Sequence, residues 1–239
     1  MRFYNERVEA SRNFANKVWN ASRFIMMNIE DKEITEPTDF KLRPADRWIM
    51  SKCNNLVKDV TENMDKFELG IALAKIYHAE EDPQSANDAM WTLREVLKKS
   101  LKLLHPYMPF VSEEIYGKLV PEEESLMMSE WPKYDEKWNY PIAETIVEHY
   151  KEIIRGIRNV RAEMNVPNSR KATAYVVCED QQLCAGLEFL RNSAQSMAAV
   201  NDLVLQHDKT GIADDAVSIV VPDATVYLPL EELIDFEQE

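Results

Sequence analysis

With 239 residues, 5 glycines and a 45% hydrophobic share, the chain can bury a full core plus a small second unit, and it suits a helix-rich globular protein. Its net charge of −14 argues against strong non-specific binding to nucleic acid. No run of about 18 apolar residues is present, which excludes a membrane-spanning helix, and Met1 to Arg7 has no apolar signal segment.

The first predicted helix covers residues 3–28. Val8, Ser11, Ala15, Val18, Ser22, Ile25 and Ile29 recur at three- and four-residue steps and form one buried stripe. A linker with Pro37 at its middle follows. A second helix is expected from Pro44 to Met64, with Trp48, Ser51, Asn55 or Leu56, and Asp59 or Val60 facing inward. Asp65 can cap a third, from Lys66 to about His78. After the break at Glu80 to Ser85, a fourth helix reaches Leu104 with Trp91, Val96, Leu97 and Leu101 on its apolar side. His105-Pro106-Tyr107-Met108-Pro109-Phe110 is a corner, because both prolines lack an N–H and restrict the residue before them. A short helix starts at Ser112. Residues 120–140 are irregular, and Trp131, Tyr134, Trp138 and Tyr140 are expected to seal the flank. A long helix spans Ile142 to Met164 and ends at Asn165-Val166-Pro167.

Beyond it the pattern changes from three/four-residue spacing to alternation. Strands are expected at 172–177, 200–205, 216–220 and 224–228, with a helix over Gln182 to Ser193. The fold class predicted is mainly α: an antiparallel helical bundle over residues 1–168, including the irregular segment and the long helix, and a small α+β subdomain over 169–239.

Chemistry-bearing motifs are sparse. Glycine-rich phosphate loops are absent. The histidines, His78, His105, His149 and His207, share no motif, and His105 reads as a corner residue. Cys53, Cys178 and Cys184 have no metal-like spacing; an odd number of thiols fits a reducing, cytoplasmic compartment and a structural role. Glu113-Glu114 read as first-turn carboxylates favoured by the helix dipole. No catalytic residue, cofactor site or metal site is expected in this chain.

The surface offers binding groups instead. Residues 1–23 carry five cations and two anions, and residues 151–171 six and two, against the acidic trend of the whole. Lys17, Asn20 and Phe24 lie opposite the first helix's core stripe, flanked by Arg12, Asn16 and Arg23. A cation can meet a phosphate, an amide can read a base edge and a phenyl ring can stack on an unpaired base. The plainer reading is a second packing surface for Phe24 and a solvated rim. On the long helix, Lys151, Arg155 and Arg158 form a basic ridge at i, i+4, i+7, continued by Arg161, which can track a phosphate backbone or pair internally with acidic groups.

Four blocks then carry a resemblance: NKVWNASRFIMMN (Asn16 to Asn28), ADRWIMSK (Ala45 to Lys52), HPYMPFVSEEIY (His105 to Tyr116) and IRNVRAEMNVPNSR (Ile157 to Arg170). In that order they resemble the C-terminal portion of bacterial valyl-tRNA synthetases, class I aminoacyl-tRNA synthetases. The resemblance implies a helical anticodon-binding domain, contact with the anticodon stem-loop of valine tRNA, and a place near the anticodon for Arg23 and Phe24. It implies a parent enzyme that joins valine to tRNA with ATP, the ATP being used in a catalytic domain of the same enzyme, and a monomer. The HIGH- and KMSKS-type signatures and the editing domain are absent, so the chain alone is expected not to aminoacylate. It reads as an excised fragment or a shortened paralogue, and in the latter case as a non-catalytic helical protein-interaction or structural module. An aromatic, acidic block that the family carries after Lys75-Ile76-Tyr77 is missing.

Overall fold

The computed structural model describes residues 5–29, 32–37, 42–62 and 83–233. They divide into two compact units, residues 1–140 and 141–239. The expected helix at 66–78, His78 and the missing block after Tyr77 lie outside the described residues.

In the first unit α1 spans Asn5–Ile29, α2 Pro44–Glu62, α3 Pro83–Leu104 and α4 Pro109–Leu119. The stripe on α1 is buried at Val18, Ser22 and Ile25 and half-buried at Ala15 and Ile29. It packs with Leu93, Leu97, Leu101 and Leu104 of α3 and with Ile115, Tyr116 and Leu119 of α4. Removal of such side chains from water is the main force assembling the helices. Pro44 opens α2 at the first helical position, where its missing N–H costs nothing, and the Asp46 carboxylate accepts from Arg43 N–H at 3.2 Å, the back half of a capping box. α4 begins at Pro109 rather than Ser112, which moves Glu113 and Glu114 into its second turn. The Glu113 carboxylate accepts from Leu126 N–H at 3.0 Å, and its pKa is lowered despite the opposing cost of desolvation. It fastens a chain segment rather than complementing a helix terminus.

The inward face of α2 differs from the expected one. Trp48 and Ser51 are buried as predicted, but so are Met50, Cys53, Asn54 and Val57, whereas Asp59 is exposed. The reason is polar. Asn54 donates Nδ2–H to Asp135 O at 2.9 Å and accepts from Asp135 N–H at 2.9 Å, and Ser51 Oγ accepts from Tyr140 N–H at 2.9 Å. These bonds fix the irregular segment, which makes short 3₁₀ turns at Leu126–Met128 and Glu136–Trp138. Trp138 is buried against Trp91, ring centroids 5.6 Å apart. Tyr134 and Tyr140 are half-buried, but Trp131 stays 42% exposed and does not seal this flank.

The second unit holds α5 (Pro141–Glu163), β1 (Ala172–Cys178), α6 (Gln181–Glu188), α7 (Arg191–Ala198), β2 (Val200–Gln206), β3 (Val217–Val221), β4 (Ala224–Leu228) and α8 (Leu230–Leu233). The sheet order is β2-β1-β4-β3. β1 pairs parallel with β2 and antiparallel with β4, and β3 pairs antiparallel with β4. Tyr227 stands opposite both Tyr175 and Ser218. The parallel pair needs a crossover, which α6 and α7 supply. The single helix expected over 182–193 is two helices, broken where Leu190 turns inward and leaves Phe189 68% exposed. α5 packs on α6, α7 and β3, so packing divides the chain before α5, whereas the change from helix to strand falls at 163–172. α5 ends in a left-handed Asn165, with Val166 N–H bonded to Arg161 O and Asn165 N–H to Ala162 O. This is the double-bonded C-terminal cap that Asn tolerates, and Pro167 prevents the helix continuing.

Candidate nucleic-acid interface

α1 turns a continuous polar face outward. Arg12, Asn16, Lys17, Asn20 and Arg23 are all exposed, on the side away from Val18, Ser22 and Ile25. Among the described residues no hydrogen bond or ion pair engages the side chains of these five. Cations without a counter-charge among the described residues keep their field for a ligand. Phe24 sits at the edge of this face; it is half-buried and has interactions of its own within the fold.

Two further apolar groups share the outer face. Met27 is 64% exposed, and Trp19 is 38% exposed with Lys118 Nζ 5.6 Å from its ring centroid. Trp19 lies inside the sequence block that drew attention to this helix, yet sequence reasoning passed over it. Only the neighbouring α4 shows that its ring is left partly in water under a cation. Beside it a groove of about 560 Å³ is lined by Arg23, Met26, Met27, Lys32, Arg94 and Lys118 among others. Arg94 is paired with Glu122 at 3.1 Å and Lys118 with Glu114 at 2.7 Å, so Arg23 and Lys32 are its cations without a described ion pair.

The α5 cations are arranged differently. Lys151 pairs with Glu148 at 2.8 Å and Arg155 with Glu152 at 2.7 Å. Arg158 Nε–H donates to Met197 O at 2.5 Å. Arg161 leaves the ridge altogether. It is 4% exposed and donates Nη2–H to Pro167 O at 3.0 Å and Arg170 O at 2.7 Å, while its Nη1 has no partner among the described residues. The left-handed Asn165 turns the chain back so that these carbonyls surround the guanidinium. A continuous four-residue basic ridge is thus not what α5 presents: its cations are drawn into intra-unit contacts, and a phosphate there must compete with carboxylates already in place.

The histidines of the corner and of α5 are engaged within the fold. His105 Nδ1 lies 2.9 Å from Ser112 Oγ across the corner, and Ser112 Oγ–H donates to Met108 O at 2.9 Å. His149 contacts Thr145 O at 2.8 Å and the Asp223 carboxylate at 3.0 Å. Burial opposes its protonation, but these two oxygens and the Asp223 charge outweigh it and hold the imidazole above its usual range. Burial pushes the Cys53 thiol up to about 11 and the Tyr150 hydroxyl to about 12. Among the described residues no group of three or more His, Cys, Asp or Glu could hold a metal, and no helix is long and apolar enough to cross a membrane.

Comparison with known proteins bears on this surface. Residues 46–176, from α2 into β1, match the family described as the anticodon-binding domain of tRNA ligase. Over its whole length the chain is 41% identical to a valine–tRNA ligase of Clostridium perfringens, 40% to one of Clostridium acetobutylicum and 38% to one of Clostridium tetani. Each comparison covers 100% of this chain and 29% of the relative, so the chain spans less than a third of the length of these relatives. The first alignment runs over 263 positions against 239 residues here, so at least 24 positions of that relative have no counterpart in this chain. The chain belongs to the anticodon-binding domain family of tRNA ligases.

Proposed function

We propose that this member of the tRNA-ligase anticodon-binding family grips the anticodon stem-loop of valine tRNA with the outer face of α1, as part of a valine–tRNA ligase. The observation that carries the reading is the contrast between the two basic helices. The α1 cations and amides are exposed and unengaged among the described residues, whereas the α5 cations are taken up by carboxylates and carbonyls. The choice of tRNA rests on the valine–tRNA ligases that match the whole chain.

In this reading Arg12, Lys17 and Arg23 meet loop phosphates, Asn16 and Asn20 meet base edges, and Phe24, with Trp19, offers ring faces to unstacked bases. The helices of the first unit run as an antiparallel bundle, a reading that the tight corner at 105–108 supports. ATP-dependent activation of valine and its transfer to the tRNA belong to a catalytic domain of the same ligase. This chain contributes binding alone, needs no cofactor for it, and works in the cytoplasm as a monomer.

The test is a titration of the purified chain with the valine tRNA anticodon hairpin and with a hairpin of scrambled loop. The expected result is tighter binding of the matched loop, loss of that preference in Asn20→Ala, and weaker binding of both loops alike in Arg23→Ala. Equal affinity for both loops in the parent protein would overturn the proposal.

A further inference from the structure

Cys178 is the last residue of β1, held opposite Ala224 of β4. Asp180 then caps α6: its Oδ1 accepts from Gln182 N–H at 2.7 Å and from Leu183 N–H at 3.0 Å, and its carbonyl accepts from Cys184 N–H at 2.9 Å. That cap folds the first turn of α6 back over the end of the strand. It brings Cys184 Sγ to 2.6 Å from Cys178 Sγ. A disulfide has its sulfurs about 2.05 Å apart, so closing the bond asks for a shift of roughly half an ångström.

We propose that Cys178 and Cys184 are a reversible dithiol–disulfide pair, a redox modification site in the second unit whose partner is a small-molecule disulfide of the glutathione type. In the reduced state each thiol has a backbone acceptor, and the two sulfurs move apart from this close contact. Cys178 Sγ–H donates to Asp180 O at 3.3 Å, and Cys184 Sγ–H donates to Cys178 O at 3.2 Å. Exposure sets the order of events. Cys178 is 1% exposed and burial pushes its thiol up to about 12, whereas Cys184 is half-buried and reachable. Cys184, as thiolate, attacks one sulfur of the small disulfide. A mixed disulfide forms, the original sulfur–sulfur bond breaks, and the first small thiol leaves with a proton from solvent. Cys178 then attacks Cys184 Sγ and the second small thiol leaves, taking up the Cys178 proton. The two protein thiols are oxidised and the reagent is reduced to two thiols. Cys53 is buried in the other unit and takes no part. The inference is independent of the RNA reading.

The experiment incubates the intact chain in oxidised glutathione, blocks free thiols by alkylation and maps peptides without reduction. The expected product joins Cys178 to Cys184, leaves Cys53 alkylated and is reversed by dithiothreitol. Cys178→Ser should trap glutathione on Cys184 as a stable mixed disulfide, and Cys184→Ser should leave Cys178 unmodified. A parent protein that keeps both thiols free, or that retains glutathione on Cys184 without closing the ring, would overturn the proposal, and that arm requires no variant to fold.

Discussion

Replacing Arg12, Lys17 and Arg23 together by Ala isolates the electrostatic part of the proposed contact. All three are exposed, and among the described residues none has an internal partner, so no buried group is left unmet. The melting point should stay where it is, since such surface changes fall within about 0.5 kcal/mol. Binding should not. Each phosphate neutralised on a single strand contributes about 0.7 to the slope of log affinity against log salt, so three contacts contribute about 2.1. Over a fourfold rise in salt, from about 50 to about 200 mM, the parent should then lose about 18-fold more affinity than the variant. Fluorescence anisotropy of the labelled hairpin across that range reads both slopes. Lys151→Ala with Arg155→Ala is the control: Glu148 and Glu152 already offset those charges, and the slope should change by less than about one. An unchanged slope in a normally folded triple variant, or a larger change in the α5 control, would refute the assignment to α1.

Other perturbations test individual residues. Phe24→Ala should weaken hairpin binding by about 1–3 kcal/mol through loss of a stacked base; unchanged affinity in a variant that melts like the parent ends that role. Asn54→Ala removes both bonds to the Asp135 backbone, and should cost the first unit about 2–4 kcal/mol in urea unfolding; a loss under about 0.5 kcal/mol would show that water replaces the amide. Arg161→Gln should destabilise by about 2–4 kcal/mol, because two carbonyls lose a charged donor, yet leave the RNA salt slope unchanged; a flattened slope would return Arg161 to the binding surface. His149 has a raised folded-state pKa, so its contribution is complete below the unfolded value of about 6.5 and is lost as pH rises through the higher folded value. The stability gap between parent and His149→Gln should therefore narrow with rising pH, and a gap constant across that window would contradict the Asp223 pairing.

The sequence by itself determined the course of α1, α2, α3 and α5, the four strands, and which side of α1 faces water, but not the start of α4 or the break between α6 and α7. What it determined follows from local periodicity: the Val18–Ser22–Ile25 stripe defines an outer face once the segment is helical, and alternation over 172–177 and 224–228 defines strands. The end of α5 was equally legible, because Asn165 accepts a left-handed backbone and Pro167 blocks continuation. Four blocks standing in the family's order in one chain carry the family resemblance independently of the fold. What only the tertiary structure decided are the choices that depend on distant partners. Asn54 is inward because its amide matches the backbone of Asp135, 81 residues away, and no helical period encodes that. Arg161 shares a surface-like spacing with Arg158, but the returning chain wraps it in carbonyls. Trp19 became a candidate contact only when α4 set Lys118 beside its ring, and Cys178 met Cys184 only through the Asp180 cap. A sequence states what each residue prefers; the partner that satisfies a polar group is fixed by where the chain folds back.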